Sequence, residues 1–167
     1  MGRYRINRRI RATPEQVFQA FTDPAFVADW MDASAVAGPT GPLDVPGSRY
    51  TLVIRGPWRF RSVVVRSEPP WLHETVGQGP LGGSYRMVAG LSAHDEGTDL
   101  DLLTEYKIPL GPIGRWIDRR WVDREPHTTA NREVDRLVAL VSGDRPLPEL
   151  SDGHKTRQAP DQPRPGG

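Results

Sequence analysis

Between Tyr85 and Ile108 the chain alternates with a period of two on either side of one turn signal. Tyr85, Met87, Ala89 and Leu91 are apolar at every second position, His94-Asp95-Glu96-Gly97 carries turn residues, and Leu100, Leu102, Thr104, Tyr106 and Ile108 resume the alternation. That spacing places one face of each strand on a core and the other in water, and it predicts an antiparallel hairpin. Two strands cannot bury an apolar face alone, so the fold must supply further strands and a covering layer.

Tyr4, Ile6 and Ile10 alternate with Arg3, Arg5, Arg9 and Arg11, a half-buried strand whose inner face is broken by Arg8. Tyr50, Leu52 and Ile54 form another after the Gly/Pro-rich connector from Gly38 to Gly47. Gly56-Pro57 turns the chain into Trp58-Arg59-Phe60-Arg61 and Val63-Val64-Val65, and Trp71 to Val76 makes a further strand after Pro69-Pro70. Thr13-Pro14-Glu15-Gln16 reads as an N-cap, a proline at the first helical position and a capping-box glutamine, ahead of Val17, Phe18, Ala20 and Phe21. This helix ends around Thr22-Asp23-Pro24, and a second short one carries Phe26, Val27 and Trp30.

A last helix starts at Gly111-Pro112. Its stripe runs through Ile113, Trp116, Ile117, Arg120 and Trp121, then Asn131, Val134, Leu137, Val138 and Val141, and Pro126 predicts a kink or split near Glu125. The order is one strand, two helices, a run of antiparallel strands and a long helix. It predicts an α+β fold in which a curved seven-stranded antiparallel sheet takes the long C-terminal helix across its concave side, with two short helices after strand 1. Residues 1–142 make this domain. From residue 143 to 167 the composition turns to Pro, Gly, Asp, Arg and Gln, which predicts a disordered polar tail.

Composition removes several function classes. The absence of cysteine excludes disulfides, thiolate nucleophiles and Cys-ligated metal. A net charge of +1 gives no overall pull toward nucleic acid, and none is expected as a partner. The N-terminal segment lacks the apolar core of a secretory signal, and no apolar run approaches the ~20 residues of a transmembrane segment, so the expected location is cytoplasmic. A homodimer stays open. His73-Glu74 lacks the second histidine of a zinc helix, and adjacent strand residues face opposite sides. Gly77, Gly79, Gly82 and Gly83 precede a strand instead of opening a helix, which fits a mobile turn at a cavity rim better than a phosphate cradle. No cofactor and no metal is expected.

Three pieces carry a likeness to a known group: Ile10-Arg11-Ala12-Thr13-Pro14-Glu15-Gln16-Val17-Phe18 with Phe21-Thr22-Asp23-Pro24 and Trp30; the hairpin from Gly97-Thr98-Asp99-Leu100 to Tyr106; and the terminal amphipathic helix. Over residues 3–142 the sequence resembles the SRPBCC superfamily of START-related, birch-pollen-allergen-like and polyketide cyclase/dehydrase proteins. The resemblance implies a helix-grip fold with a deep pocket between sheet and last helix, used for lipids, sterols, polyketides and other hydrophobic molecules, and in some members for cyclisation or dehydration. It carries over no catalytic residue.

Tyr50, Trp58, Phe60, Tyr85, Tyr106 and Trp116 fall on predicted inward positions, where they either fill a core or line a cavity for a hydrophobic small molecule. Arg120, Arg124, His127 and Asn131 interrupt the helix stripe. They face a cavity, or they are exposed or paired with Glu105, Asp118 or Asp123. The expected ligand-binding set is Trp58, Phe60, Tyr85, Tyr106, Trp116, Arg120 and Asn131, with Arg120 or Asn131 bonding a ligand oxygen. Two other functions compete with binding: a cyclase or dehydratase in which Tyr85, Tyr106 or Arg120 polarises an oxygen, and a module that meets a protein or membrane through the arginine rows.

Overall fold

The computed structural model describes residues 2–54, 59–107 and 126–143. β1 (Gly2–Ile10) leads into α1 (Pro14–Thr22), where Thr13 and Gln16 form the capping box in full: Gln16 N–H donates to Thr13 Oγ1 at 3.3 Å and Thr13 N–H to Gln16 Oε1 at 2.9 Å. Asp23 ends α1 and caps α2 (Pro24–Trp30), accepting from Ala25 N–H at 2.9 Å. Six strands follow: β2 (Ala33–Ala37), β3 (Arg49–Ile54), β4 (Arg59–Glu68), β5 (Leu72–Gln78), β6 (Ser84–His94) and β7 (Gly97–Lys107). They join β1 in one antiparallel sheet of order β1-β7-β6-β5-β4-β3-β2. The pair α1–α2 therefore carries the chain from one edge of the sheet to the other.

β2 is the strand without an alternating pattern, because Ala33-Ser34-Ala35-Val36-Ala37 is a run of small residues. It is held by backbone pairing with β3, irregular at Ala33–Ala35, and by Ser34 Oγ donating to Val53 C=O at 2.8 Å. The β6–β7 hairpin turns at Asp95-Glu96, as expected. Gly97 has φ +153°, and a Cβ there would strike the Ile10 carbonyl, so only glycine lets the turn lie against the end of β1. Thr98 Oγ1 donates to Ala12 C=O at 2.7 Å and ties the same hairpin to the start of α1.

The helix described at the C-terminal side is α3 (Pro126–Val141), and the kink or split expected in a longer helix near Glu125 lies outside the described residues. The predicted first half of that helix, with Gly111-Pro112, Trp116 and Arg120, lies outside the described residues, as does Trp58. α1, α2 and α3 share one face of the sheet, and Ala130, Val134, Leu137 and Leu140 of α3 are buried there.

The core on this face consists of two apolar clusters. One joins α1, α3 and Trp30 to β1, β6 and β7; the other gathers Val27, Leu43, Tyr50, Leu52 and Val64. Met31 packs against both. Trp30 closes α2 onto α1, its indole N–H donating to Ala20 C=O at 2.8 Å and its ring meeting Phe21 edge-on at 5.3 Å.

The opposite face is a charge ladder. Arg9 meets Asp99 at 3.0 Å, Arg5 Nε donates to Asp101 at 2.6 Å, Arg3 faces Glu105 at 3.7 Å, and Arg86 bridges Glu74 at 2.8 Å and Glu105 at 3.2 Å. The arginine row of β1 is thus neutralised strand by strand. Exposed pairs of this kind add little to stability.

Candidate functional site

A cavity of about 360 Å³ lies between the two apolar clusters. That is the size of a small-molecule pocket. Trp30, Met31, Leu52, Ile54, Met87 and Leu102 form its apolar walls. Tyr4, Phe60, Tyr85 and Tyr106 add aromatic surface, and Ala130 and Glu133 close it from α3.

Three of these rings owe their positions to glycines. A Cβ at Gly2 would overlap the Tyr106 ring, one at Gly77 the Tyr85 ring, and one at Gly79 the Phe60 ring. Gly2–Tyr106 and Gly77–Tyr85 are cross-strand partners, so each ring lies down across the neighbouring strand instead of standing off the sheet. Space that upright rings would fill is left open. The Phe60 and Tyr85 rings then meet edge to face at 5.9 Å.

Polar groups gather at two places. At one, Tyr85 Oη and Ser62 Oγ share a hydrogen bond of 2.7 Å, with the buried Tyr50 beside them. Burial pushes the Tyr85 and Tyr50 phenols up from their ordinary pKa of 10.0, so both stay neutral hydrogen-bonding groups. At the other, Tyr4 and Glu133 lie close together beside Tyr106 and Thr104. Burial raises the Tyr4 pKa, Thr104 lowers it, and Glu133 raises it further. The Glu133 carboxyl is pushed up to about 7, first by loss of solvent and then by Asp32, against the pull of Arg136. A carboxyl balanced near neutral pH can bind a cation, donate a hydrogen bond or move a proton.

Of the expected site residues, Phe60, Tyr85 and Tyr106 come together on this cavity. Tyr50 is buried beside it without lining it. Asn131 is placed differently: its Oδ1 accepts from Arg8 at 2.9 Å, and Asp135 stands 3.6 Å from the same guanidinium. The polar break in β1 and the polar break in α3 satisfy each other, so Asn131 does not line the cavity. Trp58, Trp116 and Arg120 lie outside the described residues.

Tyr4, Trp30 and Glu133 are site residues that the sequence pattern missed. Glu133 has no signal there, since a glutamate on an amphipathic helix reads as a solvent-side residue. His73 and Glu74 point to opposite faces as expected, with Glu74 in the charge ladder and His73 sealed in the core against Phe18. Among the described residues no group of three or more acidic or histidine side chains could hold a metal, and no helix is long and apolar enough to cross a membrane.

Residues 1–142 match the family described as polyketide cyclase/dehydrase and lipid transport. The chain belongs to that family. Solved structures share its fold. A protein from Rhodobacter sphaeroides is 21% identical with a TM-score of 0.64, the match covering 86% of this chain and 93% of that one. Protein CV1439 from Chromobacterium violaceum is 19% identical with a TM-score of 0.63, over 85% and 99% of the two chains. CalU16 from Micromonospora echinospora is 21% identical with a TM-score of 0.59, over 86% and 76%. At these identities the likeness is one of fold. No curated protein matches the sequence.

Proposed function

We propose that this protein binds a small, largely apolar molecule in the cavity between the sheet and α3. The observation that carries the reading is the cavity itself: mainly apolar walls, about 360 Å³ of space, and a few polar groups, among them Tyr85 with its bond to Ser62, the Tyr4–Glu133 corner, and Ser84 and Lys107. Ligand pockets combine apolar area for affinity with a few polar groups that set orientation. The family description, with its lipid transport, supports the same reading. Native mass spectrometry of protein purified from its own host tests it, with titration of the neutral dye Nile red as a second measurement. A stoichiometric apolar passenger, or a blue-shifted dye that the passenger displaces, is the expected result. Protein that carries no passenger and leaves the dye unshifted would overturn the proposal.

A cyclase or dehydratase acting in the same cavity is the second reading. It is favoured by the near-neutral Glu133 carboxyl and by the family description. DynU16, a protein of the dynemicin biosynthetic locus, is 21% identical with a TM-score of 0.56, and this chain spans 48% of its length. Proton transfer at Glu133 would exchange deuterium from D2O into the α-carbon of a bound 2-alkanone. Exchange no faster than in buffer would count against catalysis there.

A further inference from the structure

We propose that the molecule held in the cavity carries a basic amine, and that Glu133, with the Tyr4 and Tyr106 rings beside it, is the site that receives the ammonium group. The inference rests on the cavity reading above and adds the ligand's chemical class.

Glu133 is the acidic residue and Lys107 the basic one among the described groups lining a mainly apolar space, and no described side chain forms an ion pair with Glu133. The cations around it are engaged or solvated. Arg136, one turn along α3, pairs with Asp32 at 3.4 Å, and Lys107 at the end of β7 is exposed. Asp32 adds negative charge to the same corner. On the sheet side stand Tyr4 from β1 and Tyr106 from β7, ring centroids 6.4 Å apart and inclined at 47°. A carboxylate flanked by aromatic rings suits an alkylammonium: the oxygens take its N–H groups, and the ring faces stabilise its charge. An alcohol or a ketone would leave the carboxylate uncompensated. A carboxylate ligand would meet repulsion from Glu133 and Asp32, offset only by the solvent-exposed Lys107 at the end of β7.

The test uses chain-matched probes, n-octylamine, n-octanol and octanoate, each competing with Nile red at pH 8. The expected result is that octylamine binds about tenfold or more tightly than octanol, as a charge-assisted bond with cation–π support would give. In Glu133→Gln that preference should disappear, with circular dichroism and a cooperative thermal transition showing that the variant is folded. The wild-type preference should shrink from pH 8 to pH 6 as Glu133 takes up a proton, and it should be flat in the variant. Tyr4→Leu should reduce the preference several-fold. Equal binding of amine and alcohol, or tighter binding of octanoate, would overturn the inference and leave the cavity reading intact. Failure of the dye and all three probes to bind would overturn both.

Discussion

Folding shifts a proton from one side chain to another between about pH 4.5 and 6.5. His73 is 1% exposed, packed against Phe18 and Phe21, with neither ring nitrogen hydrogen-bonded, and its pKa is pushed down from 6.5 to about 4, by loss of solvent against a weak pull from Asp44. Glu133 moves the other way, from 4.5 to about 7. In this window the unfolded chain carries a proton on His73 and an ionised Glu133, whereas the folded chain holds a neutral His73 and a protonated Glu133. A base with a depressed folded pKa loses stability as pH falls below its unfolded value, by about 1.4 kcal/mol per unit. An acid with a raised folded pKa gains stability at the same rate as pH falls from its folded toward its unfolded value. For this pair of groups the folded and unfolded states then bind equal numbers of protons, and their joint contribution to stability should be flat. His73→Leu should gain about 1.4 kcal/mol for each unit of acidification, ~2–3 kcal/mol across the window, and Glu133→Gln should lose as much. Urea denaturation at pH 4.5, 5.5 and 6.5, followed by tryptophan fluorescence and checked for a constant m-value, measures these slopes. A His73→Leu curve parallel to the wild type would refute the reasoning, because it would mean that His73 takes up its proton in the folded state.

Four further outcomes follow from the packing. Gly77→Ala should lift the Tyr85 ring and break its bond to Ser62, lowering Nile red affinity at least several-fold while costing about 1 kcal/mol of stability; unchanged dye affinity would show that the ring does not bound the cavity. A double-mutant cycle between Arg8→Ala and Asn131→Ala should give a coupling of about 1 kcal/mol in denaturant midpoints, and additive losses would exclude the bond between β1 and α3. Trp30→Ala should cost about 3–5 kcal/mol and Trp30→Phe roughly 1 kcal/mol, the latter measuring the lost bond to the Ala20 carbonyl in thermal melts. Arg9→Ala on the outer ladder should shift the denaturant midpoint only slightly, and that shift should fade in high salt.

What could be read along the chain was whatever a local interaction determines. The Thr13–Gln16 box, the Asp23-Pro24 restart and the alternation around Asp95-Glu96 each depend on neighbours within a few residues, and the structure has them where the spacing put them. β2 escaped because alanines and a serine carry no period, and only the edge of β3 selects them as a strand. Arg8 and Asn131 were legible as anomalies but not as partners, since 123 positions separate them and no local rule joins them. Of the cavity, Phe60, Tyr85 and Tyr106 followed from inward parity. The glycines beneath them did not, because that relation exists only once strand register is set. Glu133 became visible only through what surrounds it. Its helical position reads as solvent-facing, and the apolar space beside it is assembled from β1, β7 and the end of α2.

The glycines under the three rings have a consequence for how such a protein can change. Gly2, Gly77 and Gly79 act as separate volume controls, each one methyl group away from raising its ring toward the ligand. A single substitution there would redraw the shape of the binding space while every side chain that touches the ligand kept its identity. Under the proposed binding function, selectivity can therefore drift through positions that a comparison of pocket-lining residues would score as unchanged.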